Sequence, residues 1–134
     1  MAAKKVKSKV KKIYEKDFQK SFMKALKFKG YLCYKQNTLS GELNGHYVQS
    51  GIPEGASDLV ILVHPGIVVF CELKSSFGRQ RESQKLFQKD VERLGGIYLL
   101  CSAADSMETN LNMVKMVVER KCEELANSYG FKLK

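Results

Sequence analysis

Hydrophobic and polar positions alternate between two periods along the chain. From Lys11 to Lys29 the apolar residues recur at helical spacing, with Phe22 and Leu26 on one line and Phe18 and Ala25 beside it. Gly30 follows as the residue that ends the helix. Tyr31 to Lys35 reads as a short strand, and Asn37 to Ser57, with Gly41, Gly45, Gly51, Gly55 and Pro53, as a loop. Two β-branched runs, Ser57–Val63 and Ile67–Lys74, flank His64-Pro65-Gly66 and predict a hairpin. Their nearly unbroken apolar character predicts burial on both faces. A second helix is predicted over Gln80–Leu94, with Phe87, Val91 and Leu94 as its core face and Gln84 on the same side. After Gly95-Gly96 comes a strand, Ile97–Cys101, then a long helix over Ala104–Ser128. Its stripe is Met107, Leu111, Val114, Val118, Cys122 and Leu125, with Met113 and Met116 opposite.

The hairpin carries the exceptions to its own pattern. Asp58 opens its first strand, and Glu72 and Lys74 close the second. Strand side chains alternate faces, so Glu72 and Lys74 point one way while Cys71 and Leu73 point the other. Folding the hairpin brings all three charges to one end of the sheet. Charges buried there unpaired are costly, and two carboxylates with an amine point to a hard-cation site. Glu15 falls on the apolar line of the first helix. It either complements the helix dipole in the first turns or faces Asp58 and Glu72.

Composition changes the picture in two places. The 134 residues carry a net charge of +9, and it is uneven: twelve lysines stand against two acids in residues 1–36, eleven basic against twelve acidic residues beyond. Residues 1–10 are too lysine-rich to pack and are expected to be a disordered arm, leaving 11–134 as one domain. That arm is either solubilising or an electrostatic hold on a polyanion such as nucleic acid. The four cysteines, Cys33, Cys71, Cys101 and Cys122, lack metal-site spacing and sit in predicted elements, which fits small hydrophobes in a reducing compartment. No membrane span or signal peptide is visible, so a cytoplasmic location is expected, not secretion.

The element order, helix, strand, hairpin, helix, strand, helix, is an α/β arrangement around a small mixed sheet. Together with Gly55-Ala56-Ser57-Asp58-Leu59, Cys71-Glu72-Leu73-Lys74 and Gln84, it resembles the PD-(D/E)xK nuclease superfamily, and within it the small stand-alone VRR-NUC nucleases. The resemblance spans about residues 13–103 and rests on the combination, since the bare E-x-K is common. Ser57 departs from it by standing where the family has proline. It implies a restriction-endonuclease-like core with α-β-β-β-α-β-α order. It implies Asp58 and Glu72 as carboxylates for Mg²⁺ or Mn²⁺, helped by the Leu73 carbonyl, with Glu15 completing that metal site or a second one. Lys74 would polarise the attacking water or stabilise phosphate charge, and Gln84 would orient water or Lys74. The expected activity is endonucleolytic hydrolysis of DNA, structure-selective for branches, flaps or four-way junctions, by a homodimer.

Expected nucleic-acid contacts are Lys4, Lys5, Lys7, Lys9, Lys11 and Lys12 from the arm and helix start, His46 and Tyr47 from the loop, and Ser75 and Ser76 after the E-x-K strand. Met113 and Met116 offer either a dimer contact or two stray surface methionines. Two rival readings remain: a nuclease-fold module that binds nucleic acid without cutting it, and a plain salt-bridge cluster around Lys74 in an unrelated α/β protein. The first runs against the intact set Glu15, Asp58, Glu72, Lys74 and Gln84, the second against an excess of acids over one lysine. Deleting residues 1–10 should weaken binding to every DNA sequence. It should also flatten the log–log salt dependence by about 0.9 for each lost phosphate contact. Fluorescence anisotropy across a salt series measures this, and an unchanged slope would mark the arm as passive.

Overall fold

Alternation along the hairpin strands decides the architecture, because it sends each apolar set to a different side of one sheet. The computed structural model describes residues 16–36, 41–48, 51–75 and 78–129, with backbone alone at 41–43, 47 and 48. Helix α1 covers residues 16–28. After it come β1 (Leu32–Lys35), β2 (Gly41–Leu43), β3 (His46–Val48), β4 (Leu59–Val63), β5 (Ile67–Lys74), α2 (Glu82–Arg93), β6 (Ile97–Ser102) and α3 (Met107–Tyr129). Strands β1, β4 and β5 run antiparallel in turn, and β6 lies parallel to β5, giving a mixed four-stranded sheet in the order β1-β4-β5-β6. This is the expected small mixed sheet flanked by helices.

One face of the sheet carries the core. Leu59, Ile61, Val69, Cys71 and Cys101 meet Phe22 and Leu26 of α1 and Val114 of α3, all without solvent exposure. The lines read from the sequence for the first and last helices are therefore ones that pack. Helix α1 closes where the N–H groups of Gly30 and Tyr31 return to the carbonyls of Lys27 and Leu26. On the other face, α2 lays Phe87 edge-on against Phe70, with ring centroids 5.6 Å apart, and against Tyr98.

Four expectations change. The stretch from Asn37 to Ser57 holds a second small sheet, β2 paired with β3. Its turn is Asn44-Gly45, both at positive φ, the conformation that two-residue hairpins favour because it matches strand twist. The β4–β5 hairpin is not buried on both faces: α2 covers only part of the second face and leaves Leu62 and Val68 about two-fifths exposed. Leu94 is not a core residue but the C-cap of α2, where the chain leaves the helix and turns it outward. Met113 is not on an outer face, since it packs against the core beside Val117, while Met116 is exposed. The buried face of α3 is wider than one stripe because Asn110, bonded to Ser102 at the C-terminal end of β6, extends it to that side.

The segment leading into β4 is pinned by a close approach. Gly55 has φ +81°, and a Cβ there would fall onto the backbone of Ser83 in the first turn of α2, 2.8 Å from the Gln84 nitrogen. Only glycine meets both conditions. Gly55→Ala should cost about 2 kcal/mol or more, from the backbone conformation and the clash together. Urea unfolding reads this directly; an unchanged midpoint would mean the approach is dispensable.

Candidate active site

The β4–β5 ladder ends at the pair Leu59 and Cys71. One step further the register brings Asp58 opposite Glu72, on the face that α2 covers. With no further strand pairing there, Asp58 takes the ladder's place: its Oδ2 accepts the Leu73 N–H at 2.8 Å. The backbone of Asp58 is itself held, because its carbonyl accepts the Gln36 N–H at 2.9 Å. Ser57, the residue expected to differ from the family pattern, is buried and fixed. Its carbonyl and Oγ accept from the Gln36 amide at 3.1 and 3.2 Å, and its hydroxyl donates to the Leu59 carbonyl at 3.0 Å.

Glu72 is 1% exposed. Its Oε1 accepts a hydrogen bond from Gln84 Nε2 at 3.0 Å and lies 3.6 Å from the Lys74 ammonium. Lys74 in turn donates to Gln84 Oε1 at 2.9 Å, and the same oxygen accepts the Arg81 N–H at 2.8 Å. Gln84 thus joins the acid, the amine and the start of α2 in one network. The other oxygen of Glu72, Oε2, is buried and has no hydrogen-bond partner among the described residues. Burial first, and then the neighbouring Asp58 carboxyl, push Glu72 from the ordinary 4.5 up to about 8, against the pull of Lys74.

A pocket of about 130 Å³ opens over this end of the sheet, lined by Gln19, Asp58, Glu72, Leu73, Lys74, Arg81 and Gln84. Its donor set fits a hard divalent cation. Two carboxylates face it, one with an orphaned oxygen. The Leu73 carbonyl emerges on the strand side from which its N–H reaches Asp58. No group of three or more His, Cys, Asp or Glu suited to a metal forms among the described residues, but Mg²⁺ keeps several waters and needs only one or two carboxylates.

Asp58, Glu72, Leu73, Lys74 and Gln84 are thus brought together at one place. Glu15 lies outside the described residues, as do Lys4, Lys5, Lys7, Lys9, Lys11, Lys12 and Ser76. His46 is exposed on the β2–β3 hairpin, with Tyr47 next to it on β3. Ser75 is 2% exposed and its carbonyl accepts the Gly78 N–H, so it shapes the turn after β5. Two pocket residues escaped the sequence reading. Gln19 had a signal, its spacing of four from Glu15, which places both on about one face of a helix. Arg81 had none, because its part depends on where the N-terminus of α2 docks.

No family model and no curated protein matches the chain. A solved structure described as a VRR_NUC domain superposes with a TM-score of 0.55 at 17% identity, over 76% of this chain and 95% of that one. The chain has a VRR-NUC fold. At that identity the likeness speaks for the backbone. Within the VRR-NUC fold of this chain, the pocket lies where β5 ends and α2 begins, and no helix among the described residues is long and apolar enough to cross a membrane.

A carboxyl held at about 8 has a consequence for stability. Between its ordinary value and about 8, the folded metal-free protein binds more protons than the unfolded chain. Stability therefore falls as pH rises through that window. Glu72→Gln keeps the shape of the protonated acid and removes the titration. Without metal it should match the wild type near pH 5 and exceed it near pH 8 by about 1 kcal/mol or more. Urea unfolding in EDTA at the two pH values measures this; parallel pH profiles would refute it.

Proposed function

We propose that this protein is a Mg²⁺- or Mn²⁺-dependent endonuclease that hydrolyses phosphodiester bonds in DNA, selective for branched, flap or four-way-junction structure, and acts as a homodimer. The observation that carries this reading is the buried Oε2 of Glu72, unpartnered among the described residues, beside Asp58 in a pocket that also holds a lysine. A plain salt-bridge cluster would not leave a buried carboxylate oxygen unused while Lys74 is shared with a glutamine.

Asp58, Glu72 and the Leu73 carbonyl would hold the cation. Bound there, it supplies a water of lowered pKa and neutralises charge on the phosphoryl oxygens. Asp58 does its part from a fixed position, since the Leu73 N–H and the Gln36 contacts leave its carboxylate little freedom. Lys74 places a positive charge where negative charge develops on the phosphate, and Gln84 holds the ammonium there through Oε1. Glu15 adds a third carboxylate, while the arm lysines hold the backbone of the substrate without reading bases. His46 and Tyr47 contact phosphate or sugar. Two symmetric sites in a dimer allow both strands of a branched substrate to be cut.

Asp58→Asn and Glu72→Ala should each abolish cleavage, by about 10³-fold or more, and leave DNA binding largely intact. Lys74→Ala should cost turnover more than metal affinity, because an ammonium does not ligate. The assay is cleavage of labelled duplex, single-stranded, flap and four-way DNA with Mg²⁺, Mn²⁺ or EDTA, alongside calorimetric metal titration. Wild-type turnover by either carboxylate variant at low Mg²⁺ would remove the site assignment. Equal cutting of all four substrates would remove the structure selectivity alone.

A further inference from the structure

The pocket wall contributed by α2 is built for an anion, although its floor is built for a cation. Arg81 is the N-cap of this twelve-residue helix, in extended backbone geometry. N-cap positions favour a side-chain oxygen that accepts an N–H from the first turn, and a guanidinium has no acceptor. The helix therefore begins with its own side-chain cap forgone and a cation in that place.

Among the described residues, the side chain of Arg81 is not spent on the protein. Among the described residues its guanidinium makes no ion pair, whereas Lys85 and Arg93 on the same helix pair with Glu82 and Asp90. Among the described residues its hydrogen bonds are those of its backbone, to Gln84 Oε1 and from the Lys85 N–H. It nonetheless lines the pocket together with Gln19 of α1, whose amide also has no hydrogen-bond partner among the described residues. The same pocket contains the oxygen of Glu72 that has no partner among the described residues, in a residue 1% exposed, so the space awaits a ligand quite apart from the helix terminus. A cation alone satisfies Glu72 and Asp58 and leaves the Arg81 guanidinium without a counter-ion among the described residues. A phosphate carried in with the cation supplies that counter-ion: its non-bridging oxygens match the planar fork of a guanidinium.

We propose that Arg81, at the start of α2, seats a backbone phosphate of the strand being cut, with Gln19 of α1 bonding the same strand. This rests on the nuclease reading above and adds to it the residues that grip the substrate beside the cation. The arm lysines then supply long-range attraction, and Arg81 the local registration of one phosphate over the carboxylates. The missing cap is the structural cost of this placement, so substrate grip and helix stability are opposed at position 81.

That opposition provides the test. Arg81→Ser restores a capping oxygen and removes the charge. It should raise the melting temperature of the full chain while raising KM for a labelled four-way-junction DNA by about tenfold or more, as for one charge-assisted contact. In EDTA, its log–log salt slope for DNA binding should fall by about 0.9. Arg81→Lys keeps the point charge without the fork, so it should recover the slope but not the full KM. Gln19→Ala should raise KM without moving the slope. If the wild type cleaves and Arg81→Ser keeps its KM and salt slope, the phosphate seat is wrong and the nuclease reading stands. A lowered melting temperature with an unchanged slope makes Arg81 a structural residue and also overturns the proposal. If the wild type neither binds nor cuts DNA with Mg²⁺ or Mn²⁺, both readings fall.

Discussion

Where the β4–β5 ladder runs out of backbone partners, a side chain continues it. The bond from the Leu73 N–H to Asp58 Oδ2 closes the open end of the hairpin, and the rest of the site follows. It draws the Asp58 carboxylate alongside Glu72, which the strand alternation has already turned to the same face. A buried N–H left unpaired would cost a kcal/mol or more, so the carboxylate is held by the same requirement that holds the sheet together. Gln36, the residue after β1, secures the arrangement by bonding the carbonyls of both Ser57 and Asp58. Ser57, in a position where proline would restrict the backbone, is restricted instead by hydrogen bonds.

The same closeness that makes the site makes it uncomfortable. Glu72 is surrounded by protein and sits beside a second acid, and the outcome is a carboxyl pushed up to about 8. Lys74 only partly offsets this, because its ammonium lies 3.6 Å from Glu72 and is shared with Gln84. Local destabilisation of this kind is characteristic of functional sites, where groups are arranged for a ligand and not for each other. Here the surrounding sheet, with Cys71 and Leu73 locked in the core on the reverse face, holds the acids in place.

Helix α2 connects the sheet to the pocket. It docks through Phe87 on Phe70 and Tyr98 and through the glycine contact of Gly55 with Ser83. That docking presents three things at once: the amide of Gln84, the positive end of the helix and the side chain of Arg81. It also explains the uneven cover of the sheet. A twelve-residue helix, drawn toward β6 and the pocket, leaves Leu62 and Val68 at the far side partly open.

Much of this could be read from the chain itself, and the reason is periodicity. The hairpin strands, the apolar line of Phe22 and Leu26, the inward Gln84 and the convergence of Asp58, Glu72 and Lys74 all follow from the period of two or 3.6 within a single element or one turn between two. The Asn44-Gly45 hairpin was equally local, and its residues carry the strongest short-range turn signal. What needed the tertiary structure were relations between elements distant in sequence. The exposure of Leu62 and the inward packing of Met113 depend on how far a neighbouring helix reaches. The parts of Gln19 and Arg81 depend on α1 and α2 meeting at the end of a sheet, which no periodicity within either helix encodes. The protonated state of Glu72 is of the same kind: the chain names the acid and its neighbours, but burial, set by the packing of every layer, decides its charge.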